Sequence, residues 1–172
     1  MPESYDFSGW ATRNNLRCAD DRVIMKDAFK DQDGETVPLV WNHNHTDMDR
    51  VLGHALLQNR DEGVYAYCKF NLDTPQGKLG KQLVDNGDIR SLSIYANKLQ
   101  QAKNYVTHGV IRELSLVHAG ANPGAYIDFV MAHGDDEGEG FEGTWDESIV
   151  LNVNNDEIEH SATEKEEEVK KA

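Results

Sequence analysis

Hydrophobic and polar residues alternate along much of the first 130 positions. Val64, Ala66, Cys68 and Phe70 interleave with Tyr65, Tyr67 and Lys69, the period of two that places alternate side chains on opposite faces of a strand. A similar run over 50–58 lies just upstream, and Asn59-Arg60-Asp61-Glu62-Gly63 between the two predicts a hairpin. Residues 36–43, rich in β-branched and aromatic residues after the turn signal Asp33-Gly34, predict another strand. Residues 89–98 and 105–117 predict two more, the second folded at His108-Gly109. The period lengthens clearly once. Thr74 can cap a helix, Pro75 suits its first turn, Leu79, Leu83 and Val84 form its apolar stripe, and Asn86-Gly87 ends it. Residues 125–132, after Pro123-Gly124, read as the start of a second helix. A mostly β domain with a few helices is the expectation.

Three of these runs carry polar residues where apolar ones would pack better: Val40-Trp41-Asn42-His43, Ser91-Leu92-Ser93-Ile94 and Arg112-Glu113-Leu114-Ser115-Leu116-Val117. Burying a polar side chain without a partner costs about 1–3 kcal/mol. One such residue is ordinarily a core group satisfied by the backbone. A hydroxyl, an imidazole and a carboxylate together make a nucleophile, its base and the group that orients the base. Strand parity places Ser91, Ser93 and Tyr95 on one face and Glu113 with Ser115 on another. Parity does not separate Ser91 from Ser93, or His43 from His45.

These segments resemble those of the prohead maturation proteases of tailed bacteriophages, serine peptidases related to the herpesvirus assemblins. Phe7-Ser8-Gly9-Trp10-Ala11, Asp20-Asp21-Arg22-Val23-Ile24 and Asp27-Ala28-Phe29 are similar to the family's first strand and following loop. Val37-Pro38-Leu39-Val40-Trp41-Asn42-His43 resembles its histidine segment, with Leu52-Gly53 after it. Gly87-Asp88-Ile89-Arg90-Ser91-Leu92-Ser93-Ile94 resembles its serine segment, and Glu113-Leu114-Ser115-Leu116-Val117 with Ala121-Asn122-Pro123-Gly124-Ala125 its closing motif. The resemblance spans about residues 5–131, and the order and spacing of the motifs carry it.

The resemblance implies an antiparallel β-barrel with a few surrounding helices, herpesvirus-protease-like. It also implies Ser93 as nucleophile, His43 as base and Glu113 as the orienting carboxylate, with no metal or cofactor. The implied substrates and partners are the phage scaffold and major capsid proteins, and the implied place of action is the assembling prohead in the host cytoplasm. A homodimer and self-cleavage are both compatible with it. The herpesvirus relatives draw on an arginine pair near the oxyanion site; no arginine stands near His118-Ala119-Gly120-Ala121-Asn122, the loop whose small residues suit that role here.

Composition sharpens the domain picture. From Gly134 onward there are 14 Asp and Glu against 3 Lys, a net of −11 out of −14 for the whole chain. Residues 1–133 therefore read as the protease domain and 134–172 as an acidic, flexible tail or linker, in which Trp145 and Ile149-Val150-Leu151 suggest a short docking segment. The near-balanced domain lacks the basic face that nucleic-acid binding needs. The two cysteines, Cys18 and Cys68, sit in no CxxC pairing and read as free thiols. Neither a signal-like stretch nor a run approaching ~20 apolar residues is present, so a soluble intracellular chain without membrane contact is expected.

Two rivals belong beside this. His43-Asn44-His45-Thr46-Asp47 is an HxHxD pattern, similar to the metal turn of metallo-β-lactamase-type hydrolases, whose imidazoles and carboxylate could converge on zinc. The pattern breaks at Met48, where that family has another histidine. The other is a non-enzymatic scaffold or capsid-interior module whose acidic tail is the functional part.

Overall fold

The structure is a computed structural model, and it describes residues 4–44, 46–131 and the backbone of 140–142. Nine strands and one α-helix occur among the described residues: β1 (Phe7–Arg13), β2 (Val23–Ile24), β3 (Thr36–Trp41), β4 (Val51–Arg60), β5 (Gly63–Phe70), α1 (Pro75–Asp85), β6 (Ser91–Ala102), β7 (Tyr105–Val117), β8 (Ile127–Met131) and β9 (Gly140–Glu142). Two single-turn 3-10 segments, Lys30–Gln32 and Met48–Arg50, are the other helical pieces.

The expected hairpin is present: β4 and β5 pair from Gly53↔Phe70 to Arg60↔Gly63. The helix begins as its sequence indicates, with Thr74 Oγ1 accepting the Gly77 N–H at 3.1 Å. It ends at Gly87, whose φ of +77° allows the Gly87 and Asp88 N–H groups to reach Val84 and Leu83 carbonyls. Of the expected stripe, Val84 is buried and Leu83 packs against the core, but Leu79 does not belong to the buried face. Gly77, Gly80 and Val84 are buried, whereas Leu79 is 56% exposed. Close packing decides this: a Cβ on Gly80 would lie 2.8 Å from the Phe70 ring, so the glycine edge of α1 is the one that fits.

In place of the helix that local signals suggested over 125–132, the described part of this stretch forms the strand β8, Ile127–Met131. β8 pairs antiparallel with the free edge of β1 (Phe7↔Val130, Ser8↔Phe129), and Ile127 and Val130 are buried. An unpaired edge beside a β-branched and aromatic segment outweighs the local turn signal. β7 runs unbroken through His108-Gly109; the irregularity falls on β6, where the register shifts between Asn97 and Gln100 and Lys98 has φ +51°.

The strand order is β2-β7-β3-β4-β5-β1-β8-β9, with β6 on the other edge of β7. Most pairs are antiparallel, but β7 runs parallel to β2 and β3. The ladder does not close into the expected barrel. β6 meets the chain leading into β8 only at an isolated bridge, Ser91↔Tyr126, where the Leu92 N–H donates to Ala125 O at 3.1 Å. The main core lies within this sheet, with Phe7, Leu39, Leu92, Leu114, Leu116 and Ile127 each no more than 1% exposed. A smaller cluster of Trp10, Tyr65 and Tyr67 packs apart from it.

β9 falls within the segment read as a tail and pairs with β8 (Val130↔Phe141). The suggested docking segment, 145–153, lies outside the described residues. No helix among the described residues is long and apolar enough to cross a membrane.

Candidate active site

β7 holds the centre of the site, because it is paired on both edges. Val40 of β3 stands beside Ser115 in parallel register, and Ser93 of β6 stands opposite Ser115 in antiparallel register. Glu113, two residues back along β7, shares that face and lies diagonally across from Ser93. Tight strand registers thus bring a hydroxyl from one strand and a carboxylate from the next to one spot.

The imidazole arrives through an unusual turn. β3 stops at Trp41, and Asn42 (φ +50°) and His43 (φ +57°) both adopt left-handed conformations that cost free energy for residues with a Cβ. Two hydrogen bonds hold them there: the Asn42 N–H donates to Leu116 O at 2.9 Å, and the His43 N–H donates to Ser115 Oγ at 2.8 Å. The turn carries the His43 ring between β6 and β7. Its Nδ1 lies 2.6 Å from Glu113 Oε1 and its Nε2 lies 3.0 Å from Ser93 Oγ.

The proton positions follow from chemistry. An ionised carboxylate only accepts, so Nδ1 carries the proton toward Glu113, and Nε2 is left to accept from the Ser93 hydroxyl. Glu113 is 1% exposed and Ser93 3%. Burial of the carboxylate is offset by a second donor: Ser115 Oγ–H donates to Glu113 Oε2 at 2.7 Å. Ser115, fully buried, therefore fixes both the Glu113 carboxylate and the His43 backbone. No role was assigned to it from sequence, although its place on the same strand face as Glu113 was the available signal.

His43, Ser93 and Glu113 are thus brought together. Ser91 sits apart, paired with Val117 and bridged to Tyr126. His45 lies outside the described residues, and Asp47 exchanges hydrogen bonds with Asn44. Both ring nitrogens of His43 are hydrogen-bonded to protein groups. The loop after β7 lies against β6 immediately before Ser93: a Cβ on Gly120 would overlap the Leu92 carbonyl oxygen. Asn122 ties this loop to β1 by donating to Thr12 Oγ1 and Arg13 O, each at 2.9 Å. The His118 ring packs edge-on against Trp41, with centroids 5.5 Å apart.

Neither cysteine competes as a nucleophile. Burial, with Asp20 nearby, pushes the Cys18 thiol up to about 12, and burial holds Cys68 well above its ordinary value. Both are free thiols.

A carboxylate, an imidazole and a hydroxyl in hydrogen-bonded series can activate the hydroxyl for attack on an acyl carbon, which sets the comparison among hydrolases. The chain belongs to the Caudovirus prohead serine protease family, whose pattern matches residues 7–138. Among solved structures it is similar to the KSHV protease crystallised with a hexapeptide phosphonate inhibitor, at 14% identity and a TM-score of 0.49. That likeness covers 70% of this chain and 62% of the other, so the chain spans under two thirds of that protease. No protein of curated function matches the sequence.

Proposed function

We propose that this chain is a serine endopeptidase that cleaves scaffold and capsid proteins within the assembling prohead of the host cell. Ser93 is the nucleophile, His43 the general base and then general acid, and Glu113 the group that orients the imidazole. The supporting observation is the continuous series Glu113 Oε1–His43 Nδ1 at 2.6 Å and His43 Nε2–Ser93 Oγ at 3.0 Å. Membership of the prohead protease family supports the substrate class.

As Ser93 Oγ attacks the scissile carbonyl, its proton passes to His43 Nε2. Glu113, already hydrogen-bonded at Nδ1, stabilises the imidazolium that forms. His43 then gives the proton to the leaving amine, and water repeats the cycle on the acyl-enzyme. The small-residue loop 118–122, which packs beside the Leu92 backbone, is the segment this scheme assigns to meet the developing oxyanion. Residues 1–133 form the protease domain in this scheme, and 134–172 an acidic extension attached to the sheet at β9.

Ser93→Ala is expected to abolish processing of capsid and scaffold substrates, a loss of roughly 10⁴-fold or more in kcat, with the melting temperature unchanged. Ser91→Ala should keep most activity. Full turnover in Ser93→Ala would sink the proposal, and silence toward a fluorophosphonate with normal prohead assembly would favour a scaffold role. EDTA should leave activity unchanged; activity that disappears with bound zinc, or with His45→Ala, would restore the HxHxD alternative.

A further inference from the structure

Glu113 meets the His43 ring because β7 breaks its alternation just before it. Between β6 and β7, Ile111 stands opposite Ala96 and Glu113 opposite Tyr95, so Arg112 is an extra residue on β7 and forms a β-bulge. In a strictly alternating strand Ile111, Glu113 and Ser115 would share one face. Here Ile111 is 1% exposed and lies in the main core with Leu114 and Leu116, whereas Glu113 and Ser115 bond to His43 on the other face. Without the bulge, either Ile111 would leave the core or the carboxylate would enter it.

The bulge is supported from the far edge of β7. β2 covers that edge at Tyr105 and Val106, and β3 covers it from Leu114 to Leu116. Among the described residues no strand flanks 107–113. The segment that ends in the 3-10 turn Lys30–Gln32 lies there instead, with the Gly109 N–H donating to Ala28 O at 3.2 Å. Gln32 Oε1 accepts the Ile111 N–H at 2.6 Å, and Gln32 Nε2 donates to Ile111 O at 2.8 Å. One carboxamide thus satisfies both backbone groups of the residue at which the bulge begins, as a neighbouring strand would. Gln32 is itself buried, and its Nε2 also faces Glu35 Oε2 at 3.4 Å. On the solvent side, Arg112 Nε donates to Asn97 Oδ1 at 2.7 Å.

We propose that Gln32 is a positioning residue for the reaction: it clamps the bulge at Ile111 and so holds Glu113 on the face of β7 that meets His43. Gln32 touches no reacting atom and acts through the β7 backbone. The proposal rests on the Glu113–His43–Ser93 series being the catalytic one.

The test uses the full chain. An alkyl fluorophosphonate that fails to label Ser93 in the wild-type protein would sink the serine mechanism, separately from the clamp. The clamp itself is read first by native-state hydrogen exchange, in which the wild-type Ile111 N–H should be as slow as the strand-paired amides of β7. Exchange as fast as that of exposed amides would overturn the proposal. Gln32→Met keeps the length of the side chain and removes both bonds. For each folded molecule it should label Ser93 roughly tenfold or more slowly, since small displacements of the orienting group are expensive. Its pH–rate profile should move to lower pH, because the imidazolium loses part of its carboxylate support. The downfield proton resonance of His43 Nδ1–H, identified by its loss in His43→Ala, should weaken or shift. Gln32→Asn carries the same amide one methylene short and should show these changes to a smaller degree; it takes the place of Gln32→Met if that variant does not fold. Cys68→Ala, a core lesion on β5, should leave the profile and the resonance as in the wild type. A folded Gln32 variant with the wild-type profile and resonance, whatever its rate, or equal changes in Cys68→Ala, would overturn the proposal.

Discussion

Ser115 shows how much of the site depends on a residue with no chemistry of its own. It donates to Glu113 Oε2 and accepts the N–H of His43, a residue held at φ +57°. Ser115→Ala strips a buried carboxylate oxygen and a buried N–H of their partner together, at about 1–3 kcal/mol for each orphaned group. If much of this falls on the transition state, kcat drops by roughly 10–100-fold with little change in KM. Glu113 would also hold the imidazole less firmly, so the pH–rate profile should move. Ser115→Thr, which keeps the hydroxyl, should restore much of both, whereas a merely packing role would leave the profile where it was. The sequence disclosed His43, Ser93 and Glu113 through family register, since strand parity by itself left Ser91 and His45 in contention. The role of Ser115 was not legible, because it depends on which residues lie across from it in space.

Elements defined by local chemistry were read well, and those defined by their neighbours were not. Thr74, Pro75 and Gly87 set the limits of α1 through capping that acts within a few residues. The β4–β5 hairpin followed from alternation and a short connection. β8 and the exposure of Leu79 on α1 were misread because a vacant edge of β1 and the Phe70 ring, both remote in sequence, decided them. The loop after β7 depends on the same kind of close approach. Gly120 leaves no room for a side chain against the Leu92 carbonyl, one residue before Ser93. Gly120→Ala must push the loop off β6, and a displacement of about 1 Å near the reacting atoms is worth roughly 100-fold in rate. Circular dichroism should show the sheet retained while cleavage falls. Unchanged kinetics in that variant would remove the 118–122 loop from the oxyanion site.

At the scale of the whole molecule, the mostly β class was legible from alternation, but closure was not. Whether the first and last strands of a sheet pair depends on twist and register summed over every strand, and here β6 and the approach to β8 meet at one bridge only. The same packed interior determines how the fold responds to alkali. Cys68 is fully buried, and burial raises its pKa well above the model-compound 9.0; Cys18 is raised to about 12. In the unfolded chain both thiols ionise near pH 9, whereas in the folded chain they stay neutral well beyond it. The unfolded state therefore binds fewer protons above pH 9. Stability is complete below that pH and declines as pH rises through the folded values, by up to about 1.4 kcal/mol per pH unit for each thiol. Urea denaturation at pH 7, 9 and 11 should show a plateau followed by a fall. Cys68→Ala is expected to be less stable at neutral pH, because it loses packing, and yet to show a shallower decline between pH 9 and 11. An equally steep decline in Cys68→Ala would mean that Cys68 does not carry the alkaline sensitivity, and that the burial of Tyr65 or Cys18 does.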